Sequence, residues 1–379
     1  MLLVLLLWLA GLGAAAQFGK ISILFETLRS TYGGQGEVAL GLVVSIVGMV
    51  GLIFGTTAGL LVARIGPRRA IVAALAAGAA MSALQSLMPA YPLMLASRII
   101  EGASHLAIVV VGPTMIATLA PEDRRPLAMT LWSSFFGVTY AILALIGPHA
   151  GPTSLFLGHA GYMAALAAIL ALTLPPDPKG QALPMGNLIA QHAQIYASPR
   201  LSAPAMGFCC YTFLYVAVLT LLPPETPETH RALIAAGMPL VSIAVSLTLG
   251  VWLLGRMSAV RLVQAGYAVA IPGFLLLWLA WGQGVGMVVG GFLLSAALGI
   301  VQGASFAAIP ELNLTADDRA RAAGAVAQLG NLGTTTGTPV LAALLATSGP
   351  AGLAATAVLL CSLGIAIHAL QRARRQRLA

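Results

Sequence analysis

The sequence predicts an all-α membrane protein, with twelve transmembrane helices in two pseudo-symmetric six-helix halves. Three observations lead there. Of 379 residues, 59% are hydrophobic and only 8% are charged, about a third of the roughly 25% carried by soluble domains. The apolar residues gather into continuous runs of the ~20 residues that a helix needs to cross ~30 Å of hydrocarbon. The basic residues fall almost wholly into alternate loops. So few charges cannot cover a water-facing surface, which excludes a soluble enzyme, a disordered tail and a nucleic-acid module. Three cysteines, Cys209, Cys210 and Cys361, make no disulfide framework, and adjacent helical residues point about 100° apart. A transmembrane β-barrel would show alternating ten-residue segments instead.

The spans run roughly over 3–28, 38–62, 70–89, 92–119, 128–148, 153–174, 202–222, 232–254, 260–281, 285–312, 325–347 and 350–370. The first opens at Leu2 or Leu3 with no basic segment before it. Gly11–Ala16 imitates a leader-cleavage site, but the apolar run continues through Ile21, Leu24 and Phe25, so it reads as a retained helix. No polar segment precedes it, which leaves open a longer natural N-terminus. Gly and Pro recur inside the spans, where small residues let helices approach and neighbours satisfy freed backbone groups. The longest polar stretch follows span six and contains Pro175, Pro176, Pro178 and Pro184. It separates a half over 1–174, a cytoplasmic linker over 175–200, a half over 201–370 and a basic tail over 371–379. Within the linker, Asn187–Ser198 is expected to form a short surface helix.

Orientation follows from the basic residues. Even-numbered loops and the tail hold Arg64, Arg68, Arg69, Arg124, Arg125, Lys179, Arg200, Arg256, Arg261, Arg319, Arg321, Arg372, Arg374, Arg375 and Arg377, against Arg29 and Arg231 on the other side. This positive-inside bias places both termini in the cytoplasm of a multi-pass protein of the inner, or plasma, membrane. The net charge of +8 is then topology and attraction to anionic lipid, with no nucleic-acid partner implied.

The halves echo each other. Pro121–Arg125 after span four answers Asp317–Arg321 after span ten, and Gly59–Arg69 after span two answers Gly250–Arg256 after span eight. The chain as a whole resembles the major facilitator superfamily of transporters. Gly59, Leu61, Arg64, Gly66, Arg68 and Arg69 fit that family's loop between helices 2 and 3, Gly-x-Leu-x-Asp-Arg-x-Gly-Arg-Arg, with Ala63 in the place of the acid. Arg98 to Gly102 resembles its Arg-x-x-x-Gly motif. Gly147–Gly151 gives only the tail of the fifth-helix motif of drug/proton antiporters, which favours uptake over efflux. The resemblance implies a monomeric secondary transporter rocking around a central cavity, with a conformational switch in the Gly59–Arg69 loop.

A charge inside a span costs roughly 2.5–3.5 kcal/mol by insertion scales, so each one needs a reason. At ~1.5 Å per residue, Lys20 lies ~12 Å and Glu26 ~3 Å below the outer end of span one, and Arg98 ~9 Å and Glu101 ~14 Å below that of span four. Lys20 therefore lies between Arg98 and Glu101 in depth, and since the resemblance implies that helices 1 and 4 both line the central cavity, a Lys20–Glu101 pair is expected there. It is either a substrate or proton contact or a structural pair fastening two helices, unless Lys20 snorkels outward, and Glu101→Gln is expected to stop uptake while sparing the fold. Glu26 is either a distant proton-pathway candidate or a rim residue, and His105 a proton carrier or a hydrogen-bonded interior histidine. Glu311 is a gate or loop anchor. Arg64, Arg68 and Arg124 are expected to cap helix ends and to pair with Glu122 or Asp123.

Met206 and Cys210 stand one turn apart in span seven, a spacing of soft ligands that suits Cu(I). With Met238 in span eight they resemble a bacterial branch that includes copper importers for cytochrome oxidase assembly and riboflavin transporters. Ile234, which cannot ligate metal, stands where the copper members have His. Met and Cys also simply fill cores. A flavin or similar solute would instead use the faces of Tyr211, Phe213 and Tyr215. Enzymatic motifs such as His-Glu-x-x-His and a phosphate-binding Walker loop are missing, and no resident cofactor is expected. The reading is thus uptake of a small solute or a metal such as copper. Import of riboflavin or another organic solute is one alternative, and a non-transporting membrane scaffold is another.

Overall fold

The computed structural model describes residues 1–121, 128, 131–132, 134–177 and 188–377, and every regular element among them is helical. Glu122, Asp123, Arg124, Arg125, Lys179 and Pro184 lie outside the described residues. The chain divides into two compact units: unit 1 is Met1–Gln35 with Leu42–Gly186, and unit 2 is Gly36–Gly41 with Asn187–Ala379. The change after Gly186 falls inside the polar stretch that the sequence marks as a linker.

In unit 1 the run expected as one span over 3–28 is two helices, α1 (Leu2–Ile23) and α2 (Phe25–Tyr32), separated at Leu24 with φ −87° and ψ 11°. Helix α2 buries Phe25, Leu28 and Tyr32, and the Tyr32 hydroxyl donates to the Pro89 carbonyl at 2.6 Å. The next span, whose first residues through Gly41 belong to unit 2, is also broken: α3 (Glu37–Ser45) and α4 (Val47–Ile65) meet at Ile46 with a 44° bend. No proline causes it. The turn tightens through Met49, whose N–H bonds the Ile46 carbonyl. Then come α5 (Pro67–Gln85), α6 (Tyr91–Leu119), α7 (Phe135–Ile146), a 3₁₀ turn at Gly147–His149 and α8 (Pro152–Thr173). Leu7, Ile71, Leu75, Ile108, Ile116 and Leu170 are fully buried in the core that α1, α5, α6 and α8 share. Burying one such side chain contributes about 1.5–3 kcal/mol relative to water.

The α4–α5 loop is held by a carboxylate from further along the chain. Gly66 sits at φ 99° and ψ 133°, a conformation open to glycine at little cost, and a Cβ there would overlap the Asp177 carboxyl group. That carboxylate accepts the Arg68 N–H at 2.7 Å and the Arg69 N–H at 3.2 Å, capping α5 where its first N–H groups lack helical partners. The Arg69 Nε lies 3.8 Å from Asp177 Oδ2, and the Arg68 guanidinium donates to the Ala171 carbonyl at the end of α8. Asp177, which the sequence reading did not single out, holds the backbone N–H groups of Arg68 and Arg69, while the expected pairing with Glu122 or Asp123 falls on residues outside the described ones. Arg64 is exposed in the last turn of α4, and Gly59 is a helical residue of α4.

Unit 2 contains α9 (Leu188–Ala197), α10 (Ser202–Glu225), α11 (Glu228–Val245), a π turn over Ser246–Gly250, α12 (Val251–Leu254), α13 (Ala259–Leu279), α14 (Gly284–Leu312) and α15 (Ala316–Arg377). Helix α9 is the short helix expected over Asn187–Ser198. Its Tyr196 hydroxyl donates to Gln328 Oε1 at 2.7 Å, and burial, aided by Cys209, pushes that phenol up to about 12. Non-helical geometry at Gly349, φ 62° and ψ −159°, breaks α15 into two helices just before Pro350. The expected tail is helical through Arg377. Helix α13 is tied to α10 by the Tyr267 hydroxyl, which donates to the Gly207 carbonyl at 2.7 Å. Among the described residues, eight helices are long and apolar enough to cross a membrane, and the bent α3–α4 pair makes nine.

Gly66→Ala is expected to lower the thermal unfolding midpoint in detergent, by the equivalent of about 2 kcal/mol for a strained backbone. Gly161→Ala on α8, where a Cβ meets nothing within 4 Å, should instead hold or raise the midpoint, by up to ~1 kcal/mol. Equal midpoints for the two variants would refute the capped-loop account.

Candidate functional site

Helices α1, α5, α6 and α8 send polar side chains into the middle of unit 1. Helical spacing sets two pairs: Ser82 and Gln85 stand three apart on α5, and Arg98 and Glu101 three apart on α6, each on one face. Lys20, Arg98 and Glu101 are each fully buried. Lys20 Nζ lies 2.5 Å from Glu101 Oε1, and the other carboxylate oxygen receives the Arg98 guanidinium and Gln85 Nε2 at 2.9 Å.

The lysine is saturated. Its ammonium has three hydrogens, and three acceptors surround it: Glu101 Oε1, Ser82 Oγ at 2.9 Å and His159 Nδ1 at 3.2 Å. His159 Nε2 lies 3.0 Å from the Gly13 carbonyl, which can only accept, so that nitrogen carries the proton and Nδ1 is free to accept from Lys20. The Ser82 hydroxyl donates to the Phe156 carbonyl at 2.8 Å. The Phe156 ring centroid lies 5.2 Å from the ammonium, within cation–π range.

Arg98 does a second job. Its Nε donates to the Val43 carbonyl at 2.9 Å and its Nη2 to the Val44 carbonyl at 3.1 Å. Both carbonyls belong to the last turn of α3, where helical partners run out. One turn further on, a Cβ on Gly102 would overlap the Val47 carbonyl, so glycine lets α6 press against the start of α4. The Arg98-x-x-x-Gly102 motif thus clasps the bend in the second span.

Each remaining sequence candidate has a definite place. Glu26 lies on α2, 53% exposed and paired with Arg29 at 2.8 Å, outside the buried cluster. His105 bonds the Ala14 carbonyl through Nδ1 at 3.0 Å and packs edge-on against Phe18, a contact between α1 and α6. Glu311 accepts the Ala259 N–H at 2.7 Å and anchors the start of α13. In unit 2, Phe208, Tyr211 and Tyr215 form a stacked ladder with 5.1 Å between successive rings. The Met206 sulfur accepts a hydrogen bond from Gln371 at 3.0 Å. Cys210 and Met238 are buried, and Ile234 packs with Met238 against Gly291. Buried His368 lies against Gly207, with neither ring nitrogen partnered. Among the described residues no three His, Cys, Asp or Glu side chains converge as a metal would require.

Sequence reasoning missed His159, Ser82, Gln85 and the pair Gln17 and Ser104, joined at 2.9 Å. The available signal was a histidine in the interior of the sixth apolar run, the same signal that drew attention to His105. A groove of about 550 Å³ between α1, α7 and α8 reaches Lys20 and His159 along walls formed mostly by Leu9, Leu12, Ile142 and Leu155.

Against known proteins, the sequence model of the Major Facilitator Superfamily matches residues 5–338. The chain is 28% identical over 213 residues to the inner membrane transport protein YajR of Escherichia coli (strain K12), covering 52% of this chain and 45% of that protein. It therefore spans about half the length of the curated relative it matches. Among solved structures, the human organic anion transporter MFSD10 has a TM-score of 0.77 at 17% identity, over 96% of this chain and 98% of that one. The inward-open xylose transporter XylE from E. coli gives 0.76 at 17% identity, over 97% and 95%. The E. coli fucose:proton symporter FucP gives 0.69 at 18% identity, over 98% of each. At these identities the structural likeness speaks to fold alone.

The geometry changes what Glu101→Gln should do. With both cations on one carboxylate, that variant is expected to lose stability, by about 3–5 kcal/mol for a broken buried pair, so sparing the fold is no longer expected. Adding Lys20→Met should recover part of the loss. In a double-mutant cycle of detergent unfolding, additive effects would show that the two side chains do not interact.

Proposed function

The chain belongs to the Major Facilitator Superfamily, and on that premise we propose that it is a secondary transporter of a small organic solute. It works by alternating access, with Lys20, Glu101, Arg98 and His159 as the charge-responsive element of unit 1. The observation that carries this reading is the inventory of that cluster: two cations and one carboxylate, buried in an apolar bundle. Binding an anion, or removing one proton, brings the cluster to neutrality, and either event changes the electrostatics that hold α1, α5, α6 and α8 together. The hydrogen-bonded series Glu101, Lys20, His159 gives a proton successive sites, and Lys20 and His159 adjoin the groove.

Twelve crossings agree with this reading. They are the nine apolar spans, with the helix broken at Gly349 counted as two, together with Pro67–Gln85 and Phe135–Ile146. The basic-residue asymmetry supports cytoplasmic termini, and the matched relative is described as an inner membrane protein. A bacterial inner membrane and a monomeric state are proposed accordingly.

An organic solute is favoured over copper. The Met206 sulfur is engaged by Gln371, position 234 offers no ligand, and no cluster of metal-binding side chains forms among the described residues. The ladder of Phe208, Tyr211 and Tyr215 supplies stacking faces of the kind a planar solute such as a flavin uses.

Purified protein in liposomes with an imposed pH gradient tests the proposal, using radiolabelled xylose, fucose, riboflavin and simple carboxylates beside copper(I). Saturable accumulation of an organic solute is expected, abolished by a protonophore and reduced roughly tenfold or more, as for loss of one buried charge-assisted bond, by His159→Gln or Lys20→Met. Copper(I) accumulation that Met206→Leu or Met238→Leu removes, with no organic solute moved, would overturn it.

A further inference from the structure

Five arginines gather at one end of unit 2 around a single acid. The start of α13, the end of α14 and the last turns of α15 meet there and leave two adjoining recesses of about 370 and 390 Å³. Arg256 and Arg261 line the first and Arg200 the second, while Arg372, Arg375 and Glu311 line both. One Glu311 oxygen is committed to the Ala259 N–H. Among the described residues, no ion pair joins Glu311 to any of the five arginines. Two of the guanidinium groups are held in place. Arg375 Nη1 donates to the Pro199 carbonyl at 2.9 Å, and Arg256 lies 3.7 Å over the Trp252 ring while bonding the Trp252 carbonyl at 3.2 Å. The side chains of Arg200, Arg261 and Arg372 have no hydrogen-bond partner among the described residues. Like charges brought together repel, and an anion between them removes that cost.

We infer that this recess binds the phosphate of an anionic phospholipid headgroup. The choice of a lipid over a free phosphate rests on the neighbourhood. The recess lies at the ends of apolar spans, beside Trp252, which is 53% exposed, the position of the aromatic belt at a membrane interface. Leu249 and Val251, next to it in sequence, are also exposed and offer apolar surface along which acyl chains can lie. Basic pockets between helix ends are suited to such headgroups, and arginine's planar fork matches phosphate oxygens in pairs.

The test is native mass spectrometry of the detergent-purified full chain, titrated with phosphatidylglycerol or with phosphatidylcholine of identical acyl chains. Phosphatidylglycerol is expected to bind more tightly. Replacing Arg261→Gln together with Arg372→Gln should weaken it roughly thirtyfold, at about fivefold per arginine near a headgroup. A control removes the same charge outside the recess: Arg374→Gln, whose guanidinium is held by the Ala197 carbonyl, with Arg377→Gln. It should leave binding unchanged, and unfolding midpoints in lipid-free detergent check that both variants are folded. Equal affinity for the two lipids, equal weakening in the control, or full displacement of phosphatidylglycerol by millimolar inorganic phosphate would each overturn the inference.

Discussion

A carboxylate at position 101 stands between a lysine from α1 and an arginine from its own helix, and all three are fully buried. Water cannot stabilise these charges, so the protein must, and it does so by drawing four helices onto a few atoms. The lysine needs three acceptors and finds them on α5, α6 and α8. The arginine, anchored on the same carboxylate, spends its other donors on the end of α3. The shape of unit 1, including the bend in its second span, is thus tied to the ionisation of one cluster. Buried charge pairs are poor stabilisers compared with apolar packing, and removal of one partner is far more damaging than replacement of both. Such a cluster is therefore better understood as a specifier of geometry than as glue.

Unit 2 is assembled on a different plan. Its inter-helix links include neutral ones, the Tyr267 hydroxyl on the Gly207 carbonyl and Gln371 on the Met206 sulfur, beside the Glu311 carboxylate on the Ala259 N–H. Among the described residues, the buried Tyr211, Ser295 and Thr338 hydroxyls there have no protein partner.

Much of the architecture was legible in the sequence because the hydrophobic requirement for crossing a bilayer acts on every residue of a span. The helical runs and the short helix over Leu188–Ala197 are legible in composition and period, although the runs over 3–28 and 38–62 are each broken in two. The breaks themselves are not. Leu24 and Ile46 interrupt helices without a proline, and the carbonyls freed before Ile46 are taken up by a distant arginine that no local pattern reveals. Rise per residue put Lys20 and Glu101 at similar depth, and the family resemblance, not the spacing, put their two helices side by side. Neither could supply His159 or Ser82, whose approach depends on how α5 and α8 pack around them. The soft-ligand reading at Met206 and Cys210 rested on spacing along one helix, and spacing says nothing about the glutamine that occupies the sulfur.

The Asp177 clasp bears on how such a loop is read in sequence. An acid missing from its usual place in a signature loop looks like erosion, yet here the negative charge comes from a residue 109 positions downstream of Arg68. The loop geometry depends on a carboxylate at that point in space, not on which stretch of chain delivers it. A search that scores the loop by neighbouring letters alone would overlook a carboxylate delivered from so far along the chain.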